Sequence, residues 1–138
     1  MKVRAVIKLL EADGWRLKRQ TGSHRQFRHP TKAGTVTVAG KPSTEVPPGT
    51  LVSLLKAGPV EGTRDLSGYA VIIEWGDTGY GAYAPELPGL GVVGDSVEEV
   101  ERLIREAIPL HVESLRAHGE PVPPPSTVAT MVVAAPAG

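Results

Sequence analysis

The polar segment PVEGTRDLSG, residues 59–68, constrains the fold of this chain more than any other feature. It contains two glycines and one proline and has no hydrophobic period, so neither a helix nor a strand is expected to run through it. Helix and strand patterns lie on both sides of it. A chain of 138 residues suits one ordinary domain or two very small ones. We therefore predict a first module at residues 1–58, a linker at 59–68 and a second module at 69–138.

The first module shows the order helix, three strands, helix. Residues 2–13 carry an apolar stripe opposite polar residues spaced as on a helix. Three segments alternate as strands do: WRLKRQ, HRQFRH and TVTVA. Trp15 and Leu17 lie on one face of the first, and Thr35 and Thr37 face outward on the third. The prolines of PPGTLVSLLKAG fall at a helix start, where a missing N–H costs little. These patterns predict an α-β-β-β-α module.

The second module begins with a hairpin, in which residues 69–75 and YGAYA flank the turn GDTG. VVG supplies a short third strand. Ser96 and Glu99 form a capping box at the start of a long amphipathic helix, which ends near His118 and Gly119. VATMVV, residues 128–133, has the composition of a last strand that pairs with the hairpin. The predicted order is β-β-β-α-β, and the predicted fold class of the whole chain is α+β.

The formal net charge of zero conceals a division between the two halves. Residues 1–58 contain 11 Lys and Arg against 3 Asp and Glu, a net charge of +8. Residues 59–138 contain 4 against 12, a net charge of −8. Such asymmetry indicates one of two arrangements. In the first, the basic half binds a polyanionic partner, and the acidic half is able to dock on the basic half. In the second, two fused modules simply differ in isoelectric point.

TGSHRQFRHP, residues 21–30, carries the candidate chemistry. Alternation places His24, Gln26 and Arg28 on one face of a strand, opposite Phe27, and predicts that this face is open to solvent. Histidine is the side chain best suited to proton transfer near neutral pH. An RNA substrate brings its own nucleophile, the 2′-hydroxyl, so an acid or base and a few cations would be enough for cleavage.

The alternative is that His24 is an ordinary solvated residue on a solvent-exposed strand, without a catalytic role, as most exposed histidines are. His29, which precedes Pro30 in a loop, is expected to be structural. His111 and His118 lie on or at the end of an acidic helix, where surface roles are expected.

Other classes of protein are disfavoured by composition. The absence of cysteine removes disulfides and Cys-based metal sites, and the few scattered acidic residues of the basic half form no evident metal cage. We therefore predict no metal and no cofactor. Charged residues interrupt the N-terminal apolar residues, and no apolar run reaches the length of a membrane span, so a cytoplasmic protein without membrane contact is expected.

Longer stretches of sequence resemble a known pair of families. Nearly all of residues 1–58 resembles the HicA toxins, also called YcfA-like mRNA interferases. The resemblance is carried by LLEADGW…RQTGSHRQFRHPTKAGTVTVAGKP…VPPGTLVSLLKAG. Residues 69–126 resemble the HicB antitoxins, through the turn ELPG, the helix end H-x-E-x-L and the segment G-E-P-x-P. The chain is thus similar to a toxin followed by its antitoxin in one polypeptide.

The resemblance implies a fold and a site. The first module is expected to be like a double-stranded-RNA-binding domain, and the second like a partial RNase H fold without RNase H chemistry. The catalytic histidine of the toxins corresponds to His24 of GSH, which makes mRNA the expected substrate. The candidate RNA-binding residues are Lys18, Gly22, Ser23, Arg25, Arg28 and Lys41.

The fusion implies regulation. Antitoxins of this family cover the toxin face that carries the histidine, and a connector of about ten residues would hold the antitoxin near it at an effective concentration on the order of mM. The antitoxin part of a chain could cover the toxin part of the same chain, or that of another chain in a domain-exchanged dimer, and both alternatives are left open. A homo-oligomer is expected. The second module lacks the DNA-binding extension of many relatives, so DNA binding is not expected. The alternative function is a double-stranded-RNA-binding module without catalysis, governed by an acidic regulatory domain.

Overall fold

Strands from both halves of the chain form one six-stranded sheet in the computed structural model, which describes residues 1–58, 68–127 and 129–135. The strands are β1 (Arg16–Thr21), β2 (His24–Arg28), β3 (Val36–Ala39), β4 (Ile72–Trp75), β5 (Tyr80–Tyr83) and β6 (Leu90–Gly94). Their order in the sheet is β1-β2-β3-β6-β5-β4. β3 and β6 are parallel, and every other neighbouring pair is antiparallel.

Helices cover both faces of this sheet. α1 (Val3–Ala12) and α2 (Pro48–Leu55) pack on one face, and α3 (Val97–Ala117) packs on the other. Strand alternation separates the two cores, since Val38 and Val93 join the α1 and α2 side while Ala39 and Val92 join the α3 side. The predicted α+β class and the α-β-β-β-α order of the first 58 residues are confirmed.

The two halves meet where β3 pairs with β6. Thr37, Val38 and Ala39 lie opposite Leu90, Gly91 and Val92. A Cβ at Gly91 would lie 2.8 Å from Leu54 Cγ, so a glycine allows α2 to pack closely over this junction. One continuous set of backbone hydrogen bonds therefore joins the two predicted modules. The predicted linker between them lies, apart from Gly68, outside the described residues.

The edge strand β1 departs from the predicted alternation. Trp15, just before the strand, is buried. Leu17 pairs with Phe27 and so lies on the same face as predicted, but it is half exposed. The pairing of β1 with β2 shifts register between Leu17 and Arg19, as it does at a β-bulge. The irregularity changes the side on which side chains emerge, and every residue of β1 is exposed.

α3 begins and continues as a strongly amphipathic helix. The Ser96 side chain accepts a hydrogen bond from the Glu99 N–H, at 3.1 Å, and Glu99 Oε2 accepts one from the Asp95 N–H, at 2.9 Å. The helix runs on through Pro109, which lies on the exposed side. The apolar stripe of α3 faces the sheet. The helix crosses the sheet from β6 towards β2 and β3.

The predicted last strand is wrong for the residues that are described. Residues 129–135 form no strand, and Met131, Val132 and Val133 are largely exposed. The preceding segment is attached to the second half, since the Tyr69 hydroxyl donates to Pro123 O at 2.6 Å and Thr127 donates to the Glu86 carboxylate. A β-branched sequence supplies side chains for a strand, but a strand also requires a backbone partner. The second half is therefore β-β-β-α in the described residues.

Within the described part of the chain, no helix is both long enough and apolar enough to cross a membrane.

Candidate functional site

His24 lies at the start of β2, directly after a tight turn. Gly22 adopts φ +59°, as the first central position of a type II′ hairpin turn requires, and Thr21 pairs with His24 across that turn. The side chain of His24 projects on the face opposite Phe27, as predicted. That face is not open to solvent, however, because α3 lies over it and leaves His24 only 3% exposed.

The imidazole of His24 contacts the covering helix directly. Its Nε2 lies 2.9 Å from the backbone carbonyl oxygen of Leu103, and since a carbonyl only accepts, Nε2 carries the proton. Its Nδ1 lies 3.9 Å from Glu106 Oε2. The protonated ring nitrogen therefore already has a partner from α3, and the other nitrogen faces a carboxylate of the same helix.

Gln26 and Thr37 continue this polar contact across the sheet. Gln26 Nε2 donates to Leu110 O at 2.9 Å and to Thr37 Oγ1 at 3.2 Å. The Thr37 hydroxyl lies 2.7 Å from Nδ1 of His111, and Nε2 of His111 donates to Pro88 O at 3.2 Å. Because Nε2 of His111 holds the proton, its Nδ1 accepts from Thr37. These groups form one hydrogen-bonded chain between the two halves.

His111 is the clearest correction to the sequence analysis. It was expected at the surface, but it is fully buried between α3, β3 and the turn before β6. Burial lowers its pKa from the ordinary value of 6.5 to about 4; the hydrogen bond to Pro88 and the Glu120 carboxylate oppose this shift, and the Arg28 guanidinium reinforces it. His111 is thus a neutral hydrogen-bonding group of the interface. Thr35 and Thr37, expected to face outward, are also buried beneath α3.

Arg28 lies under the residues that follow α3. Its guanidinium donates to the Glu120 carboxylate and, at 3.1 Å, to Thr35 Oγ1. The other carboxylate oxygen of Glu120 accepts from the Gly34 backbone N–H at 2.8 Å. Burial disfavours the ionised form of Glu120, but the hydrogen bonds from Arg28 and Gly34 outweigh it and hold the pKa of that carboxyl below its usual range.

The remaining predicted contacts are distributed around this face. Lys41 forms an exposed ion pair with Asp95 at 3.3 Å, and Arg19, which was not predicted, forms one with Glu113 at 3.0 Å. Exposed pairs of this kind stabilise a fold by less than about 1 kcal/mol. Lys18 is exposed on the edge strand.

Arg25 lies on the other side of β2 from His24. Its guanidinium donates to Gly40 O at 3.1 Å and to Ser23 O at 3.4 Å, and burial lowers its pKa. Gly22 and Ser23 form the turn beside His24. The structure therefore brings His24, Arg28 and Lys41 to the contact with the second half. Within the described residues, no hydrogen bond or ion pair joins Lys18 or Arg25 to that half.

His29 has the structural role expected for it. Its Nε2 donates to Asp13 O at 2.7 Å, and its Nδ1 accepts from the N–H groups of Thr31 and Lys32. The ring also packs edge-on against Trp15, with the ring centroids 5.4 Å apart. These contacts hold the loop between β2 and β3 against the end of α1.

A second contact joins the halves on the opposite face of the sheet. Glu74 Oε1, on β4, accepts from the backbone N–H of Thr50 at 2.6 Å and from its hydroxyl at 3.0 Å. Thr50 lies in the first turn of α2. The N-cap residue of this helix is Pro47, which makes no side-chain capping hydrogen bond. A carboxylate of the second half thus satisfies one backbone N–H in the first turn of a helix of the first half.

No group of three or more His, Asp or Glu side chains placed to hold a metal ion occurs among residues 1–58, 68–127 and 129–135.

Comparison with known proteins gives one family for each half. The family model described as "HicA toxin of bacterial toxin-antitoxin" matches residues 3–58, and the one described as "HicB_like antitoxin of bacterial toxin-antitoxin system" matches residues 69–137. The chain is also similar to the UPF0150 protein ssr1765 of Synechocystis sp., with 43% identity over 61 residues, which cover 44% of this chain and 77% of that protein. The order of the matches is the one indicated by the sequence motifs.

Proposed function

This chain belongs to the HicA toxin and HicB-like antitoxin families, fused in one polypeptide, and on that premise we propose that it is a latent mRNA endoribonuclease whose active face its own antitoxin part covers. The proposed toxin unit is residues 1–58, and the proposed antitoxin unit is residues 69–138. The observation that supports this most directly is the contact between His24 Nε2 and Leu103 O. A candidate proton-transfer group is buried under the acidic half.

The proposed chemistry needs few protein groups. The 2′-hydroxyl of the RNA attacks the neighbouring phosphorus, and the bond to the 5′-oxygen of the next nucleotide breaks. His24 removes the proton from the nucleophile or supplies one to the leaving oxygen. Lys41 stabilises the negative charge that develops on the phosphoryl oxygens. The reaction so written uses neither a metal nor a cofactor.

Two fold relationships belong to the proposal. The α-β-β-β-α order of the first half fits a domain like those that bind double-stranded RNA, and the hairpin, third strand and helix of the second half fit a partial RNase H fold. In this proposal the second half contributes an inhibitory surface and no catalytic group. Its net charge of −8 against +8 favours association with the basic half.

Covering within a single chain is compatible with all contacts described between the halves. We nevertheless retain the prediction of a homo-oligomer, to be tested by light scattering of the purified chain, because β4 is an edge strand among the described strands of the sheet.

The proposal is tested by producing residues 1–58 with and without residues 69–138 as a separate chain. The toxin unit alone is expected to cleave RNA and to slow bacterial growth, and addition of the antitoxin unit should abolish both effects. His24→Ala in the toxin unit should lower the cleavage rate by a factor of about 10² to 10⁴. Glu11→Ala, at an exposed position of α1 on the other face of the sheet, is the matched control.

Three results would count against the proposal in different ways. A folded toxin unit that neither binds nor cleaves RNA would remove it entirely. Binding to double-stranded RNA without cleavage would select the alternative of a non-catalytic binding module, with His24 serving only the contact to α3. Cleavage that survives His24→Ala would retain the nuclease and remove the role of the histidine.

A further inference from the structure

Glu120 of the G-E-P segment occupies a small anion-binding cradle on the toxin half. One carboxylate oxygen contacts the Arg28 guanidinium, and the other accepts from the Gly34 N–H at 2.8 Å. We propose that Arg28 and the Gly34 N–H form a phosphate-binding subsite for RNA, and that Glu120 blocks this subsite by standing in for a backbone phosphate. The inference rests on the proposed function, and it adds a second point of RNA contact apart from His24.

The cradle is built into the first half rather than created by Glu120. Gly34 has φ +95°, and a Cβ there would lie 2.6 Å from the backbone nitrogen of Gly58, so only glycine fits this position. Arg28 is held by its hydrogen bond to Thr35 Oγ1 and by the pairing of β2 with both neighbouring strands. The two donors are therefore expected to remain oriented when Glu120 is absent.

The donor set suits a phosphate better than it suits a neutral ligand. A guanidinium offers N–H groups in a planar fork, and an adjacent backbone N–H adds a donor without a charge of its own. The carboxylate of Glu120 accepts from both, and its side chain is only 16% exposed, against 12% for Arg28. Removal of that carboxylate would leave a desolvated guanidinium without its charge partner, which favours an incoming anion.

The position of the cradle also fits a single strand of RNA. Arg28 lies four residues beyond His24 on the same face of β2, a separation of about 13 Å along an extended strand. A phosphate bound at Arg28 and Gly34 is therefore not the phosphate that the 2′-hydroxyl would attack beside His24. It would instead set the register of the RNA relative to His24.

α3 and its C-terminal extension thus obstruct two different parts of one surface. Leu103 O meets the imidazole of His24, and Glu120 meets the cradle. The first contact is a hydrogen bond to a backbone carbonyl, while the second places a negative charge where the substrate would place one. Competition with RNA should accordingly depend on ionic strength at Glu120 more than at His24.

The test uses the full chain with ¹⁵N labelling and three variants: Glu120→Gln, Glu120→Ala, and Glu113→Gln as the matched control, since Glu113 also pairs with an arginine of the toxin half. The probes are inorganic phosphate and a short RNA with 2′-O-methyl riboses, which cannot be cleaved. In both Glu120 variants, the amide resonance of Gly34 and the Nε resonance of Arg28 should shift saturably, with phosphate binding at least about 10-fold tighter than in the wild type. Glu113→Gln should behave as the wild type does.

Several outcomes would overturn the inference. A Gly34 amide that responds to neither probe in folded Glu120 variants removes the subsite, and a response to phosphate but not to RNA makes it a site for an adventitious ion only. If both variants fail to fold, titration of the wild type decides. There, phosphate should displace Glu120 at high concentration and shift Gly34, whereas chloride at equal ionic strength should not; the absence of any difference refutes the proposal.

The two proposals can fail separately. A responsive cradle in a protein whose toxin unit does not cleave RNA would retain the subsite and remove the nuclease. Cleavage by the toxin unit that is unchanged by Arg28→Gln, together with a Gly34 amide that ignores RNA, would retain the nuclease and remove the subsite.

Discussion

Replacement of His111 should remove an acid-sensitive part of the free energy of unfolding. In the folded chain its pKa is lowered to about 4 by burial, against 6.5 in the unfolded chain. Between these values the unfolded chain binds a proton that the native chain does not, so acid favours unfolding. The contribution is fully present above about pH 6.5 and is lost as the pH falls towards the folded value.

The size of this effect follows from the two pKa values. From about pH 7.5 to about pH 5, proton linkage at this one group lowers the free energy of unfolding by about 2 kcal/mol. Carboxyl groups titrate mostly below this window. His111→Gln retains a donor towards Pro88 O, and His111→Asn retains an acceptor towards Thr37, so both test the titration without leaving an empty space the size of an imidazole.

Urea unfolding followed by circular dichroism at the two pH values provides the measurement. The wild type should lose about 2 kcal/mol more than either His111 variant between them. His118→Gln, at an exposed histidine, is the control and should keep the wild-type dependence. Equal pH dependence in the wild type and in both His111 variants would refute the reasoning, because the buried imidazole would then titrate as it does in the unfolded chain.

Three further predictions concern the junction between the halves. Glu74→Gln should lower the free energy of unfolding by about 1 kcal/mol in thermal or urea melts, because the charged acceptor for the first turn of α2 is lost. Gly40→Ala should cost more, about 2 kcal/mol or above, since φ is +134° and a Cβ would lie 2.2 Å from a side-chain carbon of Val93; an unchanged melting temperature would contradict this. Glu113→Ala should change the stability by less than about 0.5 kcal/mol, because its ion pair is exposed, and a larger loss would show that the pair is stronger than its exposure suggests.

Local patterns in the sequence were sufficient to predict most elements. The stripe of α1, the alternation of β2 and β3 and the capping box of α3 all depend on residues close together in the chain. β1 was predicted as a strand, but its bulge was not, because a register shift depends on the partner strand. The predicted last strand was wrong for the described residues 129–133, because composition carries no information about whether a partner strand is within reach.

The candidate site was predicted on the correct face but in the wrong environment. Alternation separates His24, Gln26 and Arg28 from Phe27, and the structure agrees. Solvent exposure does not follow from alternation, because the covering carbonyl belongs to a residue 79 positions away in the chain. His111 was missed for the same reason, since its buried partners lie on β3 and before β6 rather than on its own helix.

Some missed residues did leave a signal. Thr35 and Thr37 share the face of His24 once β3 is paired antiparallel with β2. Two small hydroxyl side chains on one face of a strand fit a buried polar contact as well as a solvent-exposed surface. Glu120 lies in the G-E-P segment on which the resemblance to antitoxins partly rests. That segment was informative about family, but its contact with Arg28 required the folded chain.

The parallel pairing of β3 with β6 also fixes an order of events during synthesis. β3 ends at Ala39 and β6 begins at Leu90, 51 positions later. At about 5 to 20 residues per second, a ribosome needs about 3 to 10 s to cover that distance. Throughout this interval the nascent chain has an unpaired strand edge at β3 and no helix over His24. Under the proposed function, latency is acquired late, and slow translation after residue 58 would lengthen the time for which each new polypeptide is active.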